Sequence, residues 1–138
     1  MKSALLDTNI IIDLIGRRTP FYQSAARLFS LGERQKVQLY MSALSIANIS
    51  YILRKEFGRD DLRQILNNIA LIVDILDLSG KIINLALADQ RFNDFEDTIQ
   101  FFTARENRID VIISRNQKDF RASDIPVMDC EQFISTIR

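Results

Sequence analysis

Three carboxylates of this 138-residue sequence lie just after an expected strand or at the start of the helix that leads into one. Asp7 follows the apolar run 4–6, and Asp119 lies in the loop after the strand expected at 110–114. Asp97 stands at the start of a helical segment that leads into that second strand. Because ligands of open α/β sheets bind outside the carboxyl ends of the strands, we expect these acids to converge there.

The composition restricts the chemistry that such a cluster can perform. The sequence has no histidine and one cysteine. This excludes Ser-His-Asp triads, Cys-His pairs, imidazole acid–base catalysis and zinc sites built from histidine or several cysteines. Crowded carboxylates raise one another's pKa unless a cation neutralises them, and oxygen ligands favour Mg²⁺ or Mn²⁺. Such an ion polarises a phosphodiester and lowers the pKa of a bound water.

Asn48 is a polar residue on an apolar arc of the helical segment 42–53. With 3.6 residues per turn it falls between Leu44 and Ile52, on an arc that we expect to be buried. Since this helix follows the strand expected at 37–41, Asn48 can also point to the carboxyl end of the sheet. The alternative is a core amide bonded to a backbone carbonyl.

Each acid also has a purely structural interpretation. Asp7 suits the N-cap of the following helix, and Asp94 with Asp97 has the D-x-x-D pattern of a capped helix start. Asp119 alone is an ordinary turn residue, and we expect Asp13 at the surface. The functional interpretation depends on convergence, because independent caps have no need to crowd one end of one sheet.

Strands alternate with helices along the chain, which predicts a parallel sheet covered on both faces. Strands are expected at 4–6, 37–41, 72–76, 110–114 and 125–128. Helices are expected after Asp7, from Thr19 as N-cap to Arg34, from Ser42 to Gly58, at 60–71, at 79–89, after Asp94 and at 131–137.

Composition indicates one globular domain, 1–138, with 47% apolar and 26% charged residues. The 18 acidic and 18 basic residues cancel, which argues against coating nucleic acid by bulk charge. No apolar run reaches the ~18–20 residues of a membrane helix. The single cysteine is typical of a reducing compartment, so we expect a cytoplasmic protein that does not contact a membrane.

Four segments, in order and spaced over nearly the whole chain, resemble the PIN-domain family. They are L-L-D-T-N-I-I-I-D-L, S-A-L-S-I-A-N-I-S-Y-I-L, D-F-E-D-T-I-Q and V-I-I-S-R-N-Q-K-D-F. The resemblance implies a three-layer α/β/α Rossmann-like domain with a central, mainly parallel sheet of four to five strands. It also implies a Mg²⁺- or Mn²⁺-dependent ribonuclease, the toxin of a toxin–antitoxin pair with an antitoxin partner, and a homodimer.

The resemblance assigns roles by position in these motifs. Metal binding falls to Asp7, Asp97 and Asp119. Asn9 and Ser114 match positions that support the site by hydrogen bonding. We add Asp94 as a supporting residue because its place before the helix of Asp97 suits an N-cap. Two departures from the family pattern matter, because Asn48 stands where many members carry glutamate and Asn116 where many carry aspartate. An amide oxygen can ligate a metal ion but contributes no charge, so we expect weaker divalent binding.

Three functional hypotheses follow. The first is an endonuclease for single-stranded RNA, in which a metal-activated water hydrolyses the phosphodiester. Its expected RNA contacts are Arg115, Lys118 and Arg17, although each of these basic residues also suits a solvated surface. The second is a catalytically impaired PIN fold that binds RNA or protein, since two acids are replaced by amides. A receiver-like phosphate acceptor is the third, and the lack of a second acid beside Asp7 argues against it.

Overall fold

The computed structural model describes residues 1–137 and has a five-stranded sheet in which all neighbouring strands are parallel. The strands are β1 Ser3–Leu6, β2 Gln38–Ser42, β3 Val73–Leu76, β4 Val111–Ile113 and β5 Val127–Met128, in the spatial order β3-β2-β1-β4-β5. The helices are α1 Thr8–Ile15, α2 Tyr22–Glu33, α3 Ala43–Leu53, α4 Arg59–Ala70, α5 Gly80–Ala88, α6 Phe95–Glu106 and α7 Cys130–Ser135. A short 3-10 helix covers Gln117–Phe120.

Alternating side chains of the central strands separate two buried clusters. Ala4 and Leu6 of β1 pack into the cluster that contains side chains of α1–α4 and α7, whereas Leu5 packs with α5 and α6. Val111 and Ile112 of β4 divide in the same way, as the two-residue period of a strand requires. The sheet is therefore covered on both faces, which confirms the expected three-layer α/β/α architecture.

Helix α2 begins later than its capping residues predict. Thr19 and Pro20 lie in a turn, and the carbonyl of Arg18 accepts hydrogen bonds from the backbone N–H groups of Phe21 and Tyr22. The first helical residue is Tyr22, and Phe21 at the N-cap provides no side-chain cap. The predicted Thr19 cap is therefore wrong, because the Arg18 carbonyl satisfies these N–H groups instead.

Helix α3 buries a different face from the one expected. Ser45, Ile49 and Leu53 are its buried residues, whereas Tyr51 is 66% and Ile52 46% exposed. The helix is apolar on nearly every side, so the spacing of its apolar residues does not define one buried face. Contacts with α1 and β2 select that face instead. It ends at Leu53 instead of continuing to Gly58. Asn48 is thus half-buried beside an exposed arc and is not enclosed in the core.

Among residues 1–137, no helix combines the length and the apolar character that crossing a bilayer requires.

Candidate active site

Asp7 lies between the carboxyl ends of two adjacent strands and is 7% exposed. It directly follows β1, and its backbone N–H donates to the carbonyl of Ile113 at the end of β4, at 2.9 Å. Its Oδ1 accepts a hydrogen bond from the backbone N–H of Thr8 at 2.8 Å, which caps α1. Its Oδ2 accepts a hydrogen bond from the hydroxyl of Ser114 at 2.7 Å. Both carboxylate oxygens are therefore held in fixed directions.

Two of the predicted supporting residues surround Asp7. The Asn9 amide nitrogen lies 3.4 Å from Asp7 Oδ2 and 3.5 Å from Ser114 Oγ. Ser114 is fully buried, and its hydroxyl also accepts a hydrogen bond from the backbone N–H of Asn116 at 3.0 Å. Asn116 thus joins this network through its backbone, while the residue itself is exposed.

Five carboxylates, here called the acid cluster, include Asp7 and Asp97 and the acids whose charges raise the pKa of one or both of them. They are Asp7, Asp94, Glu96, Asp97 and Asp119. Burial, followed by repulsion from the other four, raises the pKa of Asp97 to about 7. Burial is also the largest cause of the raised pKa of Asp7, ahead of repulsion from Asp119 and Glu96. The three acids predicted from the sequence therefore share one electrostatic environment.

Asp94 caps α6 as its D-x-x-D pattern predicts, and Glu96 is a further acid that the sequence analysis did not select. Asp94 Oδ1 accepts a hydrogen bond from the backbone N–H of Asp97 at 3.0 Å and caps α6. Its charge also raises the pKa of Asp97. Glu96 is exposed in the first turn of α6, beside Asp97. Its position in the sequence, between the candidate acids Asp94 and Asp97, could have identified it as a member of the same cluster.

The donors of the acid cluster fit a divalent cation that retains part of its water shell. They are all oxygens, and the charges that raise the pKa of Asp97 are all negative. Among residues 1–137, however, no three acidic or cysteine side chains already converge as a metal-binding group. Mg²⁺ commonly takes one or two protein carboxylates together with waters and substrate phosphates. The chemistry of the donors therefore fits Mg²⁺ or Mn²⁺ without a preformed all-protein cage.

Arg115 forms a partly buried ion pair rather than extending freely from its loop. Its Nε and one terminal nitrogen contact the two carboxylate oxygens of Asp13 at 2.6 and 3.1 Å. Asp13 is 1% exposed, so the expectation that it lies at the surface is wrong. The ring of Phe21, whose centroid is 4.1 Å from the guanidinium carbon, stacks on the same group. Arg115 thus links the loop after β4 to α1 and to the start of α2.

The other two predicted basic residues lie apart from each other. Lys118 is exposed on the 3-10 helix, next to Asp119. Arg17 lies beyond the carboxyl end of α1, whereas Asp7 caps its amino end, a separation of about 12 Å along the helix axis. The structure therefore brings Lys118 to the side of the acid cluster and does not bring Arg17 there.

Asn48 lies one helical turn beyond a contact between α3 and α1. The Ser42 hydroxyl caps α3 by accepting a hydrogen bond from the backbone N–H of Ser45 at 3.2 Å. The hydroxyl of Ser45 lies 2.9 Å from that of Thr8, the neighbour of Asp7. The amino end of α3 is thereby fixed near the carboxyl end of β1.

The sequence profile of the PIN domain matches residues 3–118. This chain belongs to the PIN-domain family. A curated relative, Ribonuclease VapC1 of Aquifex aeolicus (strain VF5), is 28% identical over 139 residues, covering 96% of this chain and 93% of the relative.

Solved structures share the fold of this PIN domain. A toxin–antitoxin complex from Klebsiella pneumoniae contains a chain that is 27% identical, with a TM-score of 0.67, covering 92% of this chain and 97% of that one. VapBC-1 from nontypeable Haemophilus influenzae has the same TM-score of 0.67 at 20% identity, covering 94% of this chain and 98% of that chain. The second likeness supports the fold alone.

Proposed function

We propose that this PIN domain is a divalent-metal-dependent ribonuclease that cleaves single-stranded RNA, and that it is the toxin of a toxin–antitoxin pair. The observation that carries the proposal is the acid cluster at the carboxyl ends of β1 and β4, with its raised pKa values at Asp7 and Asp97. The similarity to a protein named as a ribonuclease, and to a chain from a toxin–antitoxin complex, supports it.

In this proposal, Asp7, Asp97 and Asp119 hold Mg²⁺ or Mn²⁺, and Asn48 and Asn116 complete the pocket with uncharged oxygens. The ion, when bound, polarises the phosphodiester and lowers the pKa of a coordinated water. The hydrogen bonds from Ser114 and from the Thr8 backbone hold both oxygens of Asp7 in place before substrate arrives. Such fixed orientation favours the reactive geometry.

Contacts to RNA are assigned to side chains beside the acid cluster. Lys118 is exposed and free to approach a phosphate, whereas Arg115 is already paired with Asp13 and holds the loop in position. Phe95 is 46% exposed, next to two residues of the acid cluster. Unpaired bases of single-stranded RNA are commonly bound by stacking on aromatic rings, and this supports a single-stranded substrate.

The test is cleavage of an unstructured RNA by the purified protein with Mn²⁺, with Mg²⁺ and with EDTA. We expect cleavage only with an added divalent ion, and loss of cleavage in Asp7→Asn. The matched control is Asp74→Asn, because Asp74 is an exposed acid of β3 outside the acid cluster. Equal cleavage by wild type and Asp7→Asn would contradict the assignment.

A cytoplasmic homodimer that binds an antitoxin protein is part of the same proposal. Light scattering of the purified protein measures its mass in solution, and twice the monomer mass is the expected result. Expression together with the product of an adjacent small reading frame is expected to give a stable complex and to suppress cleavage. A monomer in solution would exclude the dimer and leave the ribonuclease proposal unaffected.

The second candidate function is a catalytically impaired PIN module that binds RNA or protein. The observation that favours it is the pair of amides, Asn48 and Asn116, at positions where the family commonly carries acids. Calorimetry with Mn²⁺ separates the two functions. Saturable binding supports the ribonuclease, whereas no binding at ~10 mM favours the impaired module, because sites with few charged ligands fall at the weak end of divalent affinities.

A further inference from the structure

A buried polar network joins three helices beneath the acid cluster. Its members are Thr8 of α1, Ser42 at the end of β2, Ser45 of α3 and Gln100 of α6. The Ser45 hydroxyl lies 2.9 Å from the Thr8 hydroxyl, 2.9 Å from Gln100 Nε2 and 3.3 Å from the Ser42 hydroxyl. Ser42 and Ser45 are fully buried, and Gln100 is 2% exposed. One hydroxyl thus connects α1, α3 and α6.

The hydrogen-bonding capacity of this hydroxyl is fully used. A serine hydroxyl donates one hydrogen bond and accepts two. Ser42 and Gln100 both donate to Ser45, so Ser45 donates its hydrogen to Thr8. Ser45 therefore has no capacity left for a further hydrogen bond, and each of its three partners occupies a defined direction.

Gln100 makes this connection at a cost to stability. Within residues 1–137, its buried Oε1 has no hydrogen-bond partner. Rotating the amide by half a turn would exchange the paired and unpaired atoms without satisfying both. An unpaired buried polar atom costs about 1–3 kcal/mol of folding free energy. A methionine of similar length would avoid that cost, so the amide is poorly explained by stability alone.

The other buried polar side chains of α6 bond within their own helix region. Thr98 donates to the carbonyl of Asp94 at 2.8 Å, and Thr103 donates to that of Ile99 at 2.7 Å. Gln100 instead reaches Ser45 in α3, 55 residues away in sequence. Its hydrogen bond therefore constrains how two helices sit against each other.

Each helical member of the network stands within three positions of a candidate site residue. The pairs are Thr8 with Asp7, Ser45 with Asn48, and Gln100 with Asp97. Residues three apart lie on the same side of a helix, one turn along. A shift of α6 against α3 therefore moves Asp97 relative to Asn48.

We propose that Gln100 is a positioning residue of this site. Its hydrogen bond to Ser45 fixes α6 against α3 and α1, and so sets the spacing of Asp97 relative to Asn48 and Asp7. The hydrophobic effect that buries the apolar side chains of α6 is not directional, so this hydrogen bond adds a directional constraint to their packing. The effect on metal binding rests on the proposed function.

The principal test is Gln100→Met, which keeps the length and removes both polar atoms. We expect a melting temperature equal to or above that of the wild type, because the unpaired oxygen is gone. We expect Mn²⁺ affinity, measured by calorimetry, to fall about tenfold, the lower end of the loss seen when outer-shell partners of metal ligands are removed. Unchanged affinity in this folded variant overturns the proposal.

Thr103→Val is the matched control for losing a buried hydrogen bond in α6. Thr103 is fully buried, but its hydroxyl bonds to a carbonyl of its own helix. We expect wild-type Mn²⁺ affinity in this variant, and an equal loss in both variants overturns the proposal. Ser45→Ala completes a double-mutant cycle with Gln100→Met. Because both substitutions remove the same hydrogen bond, the double variant should bind Mn²⁺ no more weakly than whichever single variant binds it less tightly.

A measurement without metal separates this proposal from the proposed function. Residual dipolar couplings in metal-free protein report the orientation of α6 relative to α3. We expect them to change in Gln100→Met and to stay unchanged in Thr103→Val. Unchanged couplings in Gln100→Met overturn the positioning role, whereas a wild type that binds no Mn²⁺ overturns only the proposed function.

Discussion

At the scale of single residues, the ionisation of Asp97 links the site to the stability of the fold. Its pKa is raised to about 7, whereas an aspartate in an unfolded chain has a pKa of about 3.9. Between these values the unfolded chain loses this proton first, so the contribution of Asp97 to stability decreases as pH rises from about 4 to about 7. Above pH 7 the contribution no longer changes.

We therefore predict that Asp97→Asn stabilises the metal-free protein at pH 8 relative to wild type, and that the difference shrinks at pH 5. Cleavage should be lost in the same variant, because the asparagine supplies no charge to the ion. Urea denaturation in EDTA at both pH values measures the first effect. The same stability difference at pH 5 and pH 8 would show that Asp97 does not titrate in this range.

Asn48 offers a gain-of-function test at the same scale. Asn48→Glu adds a negative charge at a half-buried position on the helix that contacts Thr8 beside Asp7. We predict tighter Mn²⁺ binding and faster cleavage, because a carboxylate binds a divalent cation more strongly than an amide oxygen does. The control is Ser50→Glu, which adds the same charge at an exposed position of α3. If Asn48→Glu only lowers the melting temperature, the amide has a structural role.

Phe95 tests the expected mode of RNA binding. Its ring is 46% exposed at the first position of α6. Loss of one base–aromatic stack costs about 1–3 kcal/mol, so Phe95→Ala should raise KM for single-stranded RNA roughly fivefold or more, with Mn²⁺ affinity unchanged. Phe95→Tyr keeps the aromatic face and should retain the wild-type KM. A wild-type KM in the alanine variant would exclude stacking on this ring.

At the scale of elements, the close contact of α2 with the sheet depends on Gly32. A Cβ atom at this position would lie 2.6 Å from Cδ1 of the buried Leu39 and 3.2 Å from Cγ2 of Ile72. Alanine normally stabilises a helix more than glycine does. Here, however, the added methyl group overlaps core side chains and would displace them. We predict that Gly32→Ala destabilises the protein by about 1–3 kcal/mol.

Gly80→Ala is the matched comparison for this prediction. Gly80 is the first residue of α5, and a Cβ there would meet no atom within 4 Å. This substitution should stabilise the protein by about 0.4–1 kcal/mol, because it restricts the unfolded chain. Chemical denaturation of both variants measures the two free energies. Equal signs for the two substitutions would contradict the packing explanation.

At the scale of the whole molecule, a divalent ion that binds only the folded chain should stabilise it. At a free concentration of about 100 Kd the gain is about 2.7 kcal/mol. Part of this gain is relief of repulsion within the acid cluster. We predict that Mn²⁺ raises the melting temperature of the wild type and of Asp74→Asn, but not of Asp7→Asn. A similar shift in all three would indicate non-specific ion effects.

The architecture could be predicted from the sequence because its signals are local. Short apolar runs alternate with helical stripes, and this order fixed the expectation of a parallel sheet with helices on both faces. Predictions from local sequence were wrong at two helices, where contacts with other parts of the chain decided the structure. The Arg18 carbonyl displaced the expected cap of α2, and packing of α3 on α1 and β2 selected the face of Ser45 and Ile49 instead of the arc around Asn48.

By itself, the sequence determined which chemistry is available. Without histidine, and with acids following the strands, the candidate site consists of carboxylate and amide oxygens. Tertiary structure alone decided which charges are paired and which helices are tied together. Asp13 meets Arg115 across 102 residues, and Ser45 meets Gln100 across 55. Such pairs depend on how the helices pack. The two residues of each pair lie in different elements, so the local sequence pattern of one element carries no information about the other.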